Sequence, residues 1–272
     1  MFSTPVRRLQ DKAQVFPLEP NDSVRTRLTH SLEVSSVARG LGEAAEQFIR
    51  NARKDDGIEP GSLPTIAATC GLIHDIGNPP FGHAGESAIS SWFANQSGDD
   101  IQAGVFDAFP GVTPKQKIAT QYAQDFLKFE GNAQTQRLLS SLQILADRFG
   151  LNMTCGTLSA SLKYVVASNE IDTARAEAKK HGFFASENEL IGKIKDEVGT
   201  GNARNPLASL VEAADDICYA TVDLEDGIKK GCLDWSVLQK RVEGSCRGRA
   251  SRRDSQVCLR QDRSGWSLGP GS

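Results

Sequence analysis

Three of the chain's four histidines, His30, His74 and His83, stand in settings that suit chemistry. His74 and Asp75 are adjacent at the end of an apolar stretch, just before Gly77-Asn78-Pro79-Pro80-Phe81-Gly82. Imidazole and carboxylate together suit a borderline or hard divalent ion such as Mn2+, Fe2+ or Mg2+. The dipeptide alone is a weak sign, and a satisfied helix-terminal histidine competes with it. His30 lies upstream in Arg25-Thr26-Arg27-Leu28-Thr29-His30-Ser31-Leu32-Glu33, at the start of an amphipathic stretch. Asp215 lies far downstream in Glu212-Ala213-Ala214-Asp215-Asp216-Ile217, within an otherwise apolar helical pattern. A carboxylate there needs a partner or a metal, because burying it unpaired is prohibitive. His83 and Glu86 follow the His-Asp pair, and their i, i+3 spacing places them on one helix face.

The elements that carry these residues read as helices joined by loops. Val34, Val37, Ala38 and Leu41 recur at helical spacing after the cap candidates Asp22 and Ser23, and the pattern continues toward Asn51. Pro64 suits the first turn of a helix running to His74, with Ile66, Cys70 and Ile73 on one face. Two prolines and two glycines between Gly77 and Gly82 then break it. A further helix fits Ala84 to Ala94, and the polar stretch from Gln96 to Pro114 reads as a long loop. Helical patterning resumes at Ile118–Leu127, Ala133–Arg148, Thr157–Ser168 and Pro206–Ile228. No alternating pattern of strand length and no internal repeat interrupts it, so the fold class expected is all-α.

Bulk composition narrows the function classes. With 272 residues, 31 basic and 34 acidic side chains and a net charge of −3, the chain has no strong pull toward nucleic acid or anionic membrane. It shows neither a membrane-spanning apolar run nor a signal-peptide core. Its six cysteines are scattered without a CxxC pair, which reads as reduced thiols in a cytoplasmic protein. From Arg241 to Ser272 the character changes: seven arginines, three acids and no lysine give this tail +4 and leave −7 on the rest. The expected organisation is therefore a domain over 1–240 and a tail over 241–272 that is disordered or foreign to the fold, such as a frameshifted end. A nucleic-acid-binding tail is the alternative.

Four blocks carry a family resemblance. They are Arg7-Arg8-Leu9-Gln10 with Gln14-Val15-Phe16-Pro17 and Arg25 to Val34; Gly71 to Glu86 around His74-Asp75; Phe129-Glu130-Gly131-Asn132-Ala133-Gln134; and Asp215 to Tyr219 through Asp223-Leu224-Glu225-Asp226. In that order they resemble the bacterial dGTPase-like deoxynucleoside triphosphate triphosphohydrolases of the HD superfamily. The resemblance implies an all-α HD phosphohydrolase core and a divalent metal ion, Mn2+ or Mg2+ first among the candidates. It implies that His30, His74, Asp75 and Asp215 are metal ligands and that His83 and Glu86 form an acid/base pair. It further implies that Gln10, Tyr219 and Asp223 meet the deoxyribose, with Tyr219 closing the space of a 2′-hydroxyl, and that Asn132 and Lys163 lie near the triphosphate. A helix-capping asparagine, a surface lysine and ordinary packing of Tyr219 stay open as alternatives.

The reaction implied releases a deoxynucleoside and intact triphosphate from a dNTP. Family members usually have more sequence before the first block and further helices after the fourth, which add basic residues and part of a homo-oligomer interface. The chain is therefore expected to be truncated, with its metal site complete and its substrate shell incomplete. An HD hydrolase of a cyclic or pyrophosphorylated nucleotide, or a non-catalytic nucleotide-binding remnant, are the alternatives.

Overall fold

The computed structural model describes residues 3–17, 19–52, 57–95, 121–142 and 149–241. The chain divides into two compact units, Met1–Asp223 and Leu224–Ser272.

In the first unit a short helix, α1 (Thr4–Arg8), runs into a 3-10 turn at Leu9–Asp11. The long helix α2 (Arg27–Ala52) starts later than the cap candidates Asp22 and Ser23 suggest. Thr26 and Thr29 start it by a reciprocal exchange. The Thr26 amide donates to Thr29 Oγ1 at 3.0 Å and the Thr29 amide to Thr26 Oγ1 at 3.4 Å, which satisfies donors that a helix start leaves orphaned. Ser23 sits instead in a turn, its amide donating to Asn21 Oδ1 at 3.0 Å.

Helix α3 (Ser62–Ile73) leads to His74 and has no side-chain cap of its own. A buried carboxylate on α2 takes that role. Glu46 accepts from the Gly61 amide at 2.8 Å and from the Leu63 amide at 3.3 Å. Pro64 stands in the first turn, as its fixed φ favours. The apolar residues of α3 serve two cores rather than one face. Ile73 joins Leu9, Ile76, Leu139 and Val165, whereas Cys70 joins Val34, Ala38, Ala67 and Val211.

After the Gly/Pro break come α4 (His83–Asn95), α5 (Gln121–Leu127) and α6 (Gly131–Arg137), the last passing into a π-helical turn at Leu138–Leu142. The loop expected over Gln96–Pro114, the start of the helix expected from Ile118, and residues 143–148 lie outside the described residues. The helix expected over Thr157–Ser168 is much shorter. α7 (Cys155–Ala160) is capped by Thr154, and the chain then leaves the helix through a turn and a bend at Ser161–Lys163. The Val165 amide donates to Glu177 O at 3.0 Å, the Gly182 amide donates to Val166 O at 3.0 Å, and Val166 forms an isolated parallel bridge with His181. Adjacent β-branched residues favour this geometry, and both Val165 and Val166 are buried.

The helix α8 (Asn188–Val198) lies outside the helical spans expected from the sequence. It buries Ile191 and Ile194, i and i+3, and ends at Gly199 in the left-handed region, signals present in the sequence. The last long helix, α9 (Pro206–Lys229), agrees with its expected span to within one residue. The described residues contain no strand, and an all-α fold results. No helix among them is long and apolar enough to cross a membrane.

In the second unit, Lys229 Nζ lies 2.9 Å from Glu225 Oε1, and Leu233, Trp235 and Val237 are exposed. Beyond Arg241 the basic tail lies outside the described residues.

Candidate active site

Three helices bring the histidines and Asp215 together. His30 stands near the start of α2, His74 caps the end of α3, and Asp215 lies midway along α9. His30 is fully buried, and its Nε2 lies 3.0 Å from Asp215 Oδ1. His74 is oriented from behind, with Nδ1 2.7 Å from Gly71 O. A proton on Nδ1 for that carbonyl leaves Nε2 free to ligate. His74 Nε2 lies 3.7 Å from Asp215 Oδ1, and one donor atom from each of His30, His74 and Asp215 falls within 4.8 Å of the others.

Asp75, expected as the fourth ligand, stands at the edge of this group. Its Oδ1 is 3.5 Å from His74 Nε2 and accepts from Asn78 Nδ2 at 2.6 Å, while Oδ2 is held by the Arg27 guanidinium. Burial pushes the Asp75 carboxyl up, but the His74 and Arg27 charges outweigh it and hold it below the ordinary range. The same opposition acts at Asp215: burial raises it, and the hydrogen bond from His30 with the His74 charge brings it lower. In the metal-free protein both carboxylates are thus held ionised. Two imidazoles beside two ionised carboxylates make a mixed N/O donor set that fits a divalent ion such as Mn2+.

These groups line a cavity of about 270 Å3 together with His83, Asn132, Lys163, Tyr219 and Asp223. His83 opens α4 and is exposed, and its Nδ1 lies 2.7 Å from Glu86 Oε2, as the i, i+3 spacing predicts. Glu86 is buried behind it, outside the cavity lining. Its Oε1 accepts from the Gly131 amide at 2.9 Å, and Lys180 Nζ stands 3.8 Å from Oε2. The break between α3 and α4 is pinned to α6. The Gly77 amide donates to Thr135 Oγ1 at 3.1 Å, and a Cβ at Gly77 would lie 2.2 Å from Gly131 O. Only glycine fits that approach.

The remaining expectations divide. Asn132 lines the cavity and is not the cap of α6. Glu130 is, accepting from the Asn132 amide at 3.4 Å and from Asn132 Nδ2 at 2.6 Å. Lys163 lines the cavity from the bend after α7, with Nζ 3.6 Å from Glu212 Oε1. Asp215, Tyr219 and Asp223 follow one face of α9 into the lining, and Tyr219 is 64% exposed, so ordinary packing does not account for it. Gln10 does not line the cavity. It is exposed on the 3-10 turn, 3.5 Å from Thr26 Oγ1. Arg27, Asn78, Gln14 and Glu212 also line the cavity, although the sequence reading gives them no role there. Arg27, three positions before His30 on the same helix, had a signal in its spacing.

The family model described as HD domain matches residues 27–148. The chain is 41% identical over 251 residues to a deoxyguanosinetriphosphate triphosphohydrolase-like protein of Listeria innocua, covering 89% of this chain and 51% of that protein. A protein of the same description from Synechocystis is 41% identical, covering 89% of this chain and 56% of the relative. A deoxyguanosinetriphosphate triphosphohydrolase of Yersinia enterocolitica is 38% identical over 84% of this chain and 48% of its own length. The chain spans about half the length of the curated relatives it matches.

Proposed function

We propose that this chain, which belongs to the HD-domain proteins and is similar over most of its length to dGTPase-like proteins, is the metal-binding core of a hydrolase that converts a dNTP to deoxynucleoside and triphosphate. The observation that carries this reading is that the His30/His74/Asp215 donor group and the His83 of the His83–Glu86 pair share one cavity. His30, His74 and Asp215 would hold the ion, and Asp75 would join them through Oδ1, the oxygen beside His74, while Arg27 and Asn78 keep the carboxylate oriented. When bound, Mn2+ or Mg2+ would polarise the phosphoryl oxygen and lower the pKa of water.

The chain's own groups do the rest. In the reaction a water oxygen bonds to the α-phosphorus, the bond from that phosphorus to O5′ breaks, and a proton ends on O5′. His83 would move that proton, because Glu86 holds its Nδ1 and leaves Nε2 for the cavity. Arg27, Lys163 and Asn132 supply cation and amide donors on the cavity wall for a triphosphate. Tyr219 and Asp223, one and two turns beyond Asp215, would meet the sugar.

In this reading residues 1–240 form the hydrolase core and 241–272 stand outside it, the protein works in the cytoplasm with reduced thiols, and a homo-oligomer forms at the relatives' length. Product analysis tests it. The chain, alone and extended to the length of its relatives, is incubated with Mn2+ and each dNTP. Triphosphate plus deoxynucleoside supports the proposal. Pyrophosphate or monophosphate assigns the site to another HD hydrolase activity, and no product from the extended chain overturns it.

A further inference from the structure

We infer that Lys12 is a positioning residue for the Asp75 carboxylate, its side chain acting through Asn78 while its backbone carbonyl holds Arg27 at the other oxygen. This rests on the reading of Asp75 as a metal ligand.

Lys12 lies between the 3-10 turn and the isolated bridge that joins Ala13 to Thr26. Its ammonium donates to Asn78 O at 2.6 Å and to Ile76 O at 3.3 Å. Both carbonyls belong to the break that follows His74-Asp75, where few backbone groups have helical partners. Its own carbonyl accepts from the Arg27 amide at 3.0 Å. One residue therefore fixes the main chain of Asn78 with its side chain and the main chain of Arg27 with its backbone.

Those two residues hold the two oxygens of Asp75. Asn78 Nδ2 donates to Oδ1 at 2.6 Å, and the Arg27 guanidinium pairs with Oδ2. The Asn78 amide also donates to Asp75 O at 3.2 Å, so a shift of Asn78 moves the backbone and the side-chain contact together. An ordinary surface lysine would not be half-buried on two main-chain oxygens. Groups that orient a metal ligand from outside commonly set metal affinity by 10–100-fold.

The test reads Mn2+ affinity by titration calorimetry, with the fold and thermal midpoint of the metal-free protein recorded for each variant. Lys12→Met is expected to weaken Mn2+ binding by about tenfold, and Lys12→Arg, which keeps a cationic donor, to recover most of the loss. Lys12→Met combined with Asn78→Ala should lose no more than the larger single effect, because one relay is removed twice. Wild-type Mn2+ affinity in a folded Lys12→Met, or additive losses in the double variant, would overturn the inference. If Lys12→Met does not fold, folded Asn78→Ala decides it, since unchanged affinity there removes the relay. Asp75→Ala separates the two readings. If it binds Mn2+ normally, the ligand assignment falls and takes this inference with it. If it loses Mn2+ while Lys12→Met does not, only the role of Lys12 falls.

Discussion

Nε2 of His30 lies 3.0 Å from Oδ1 of Asp215, although 185 positions separate the two residues along the chain. His30 is buried to 1% exposure and lines the cavity beside Asp215. Asp215→Asn keeps the shape of the side chain and removes the anionic ligand. The wild-type protein is expected to retain about one Mn2+ per chain after dialysis, and Asp215→Asn close to none. Metal analysis of the two proteins checks this, and equal content would remove Asp215 from the ligand set.

The hydrogen bond from His83 to Glu86 sets the proposed acid/base pair apart from the candidate metal donors, because neither residue belongs to the three-donor group. In a chain extended to the relatives' length, His83→Ala should retain metal while turnover falls by roughly 10²–10⁴-fold, the usual scale for a general acid or base. Glu86→Gln should fall less, since it disturbs the orientation of His83 and leaves the imidazole present. Loss of metal in His83→Ala would make it a ligand instead.

Under the proposed function, sugar choice would be tied to α9. Tyr219 stands one turn beyond Asp215, exposed at the cavity. An active extended chain is expected to prefer dNTP over NTP, and Tyr219→Ala to narrow that preference through a faster reaction with NTP. The ratio of kcat/KM for the two sugars measures it. An unchanged ratio would assign the discrimination elsewhere.

Glu46 gives the fold a pH dependence away from the metal donors. The Gly61 amide, foremost among its partners, holds its carboxyl below the ordinary glutamate range against the opposing effect of burial, helped by the Leu63 amide and Arg50. A depressed native value means a contribution that is complete above the unfolded value and is lost as pH falls through the native one. Glu46→Gln should therefore lower the Tm at pH 7, and the gap from wild type should close as the pH is taken below the carboxylate range. Thermal melts of both proteins from about pH 7 down to about pH 3, a span that brackets carboxylate titration, test this. A gap independent of pH would mean that packing, rather than the charge at the head of α3, is what Glu46 supplies.

The sequence by itself determined the local chemistry. Adjacency placed His74 beside Asp75, i, i+3 spacing put His83 and Glu86 on one face, and 3.6-residue periodicity set Asp215, Tyr219 and Asp223 along one side of α9. Helix type and the Gly77–Gly82 break were equally legible, since they follow from the residues' own backbone preferences. Only the tertiary structure decided which distant residues meet. It brought His30 to Asp215, left Gln10 beside Thr26 outside the cavity, and set Asp75 between Arg27 and Asn78. It also ended α7 at Ala160 and buried Val165 and Val166 beyond the helix, at the bridge to His181. The α3 cap from Glu46 and the hold of Lys12 on Asn78 are long-range contacts of the same kind. Periodicity reports the face a residue shares with its near neighbours. The partner across a cavity is set by how helices dock, an energy summed over whole cores that no local pattern contains.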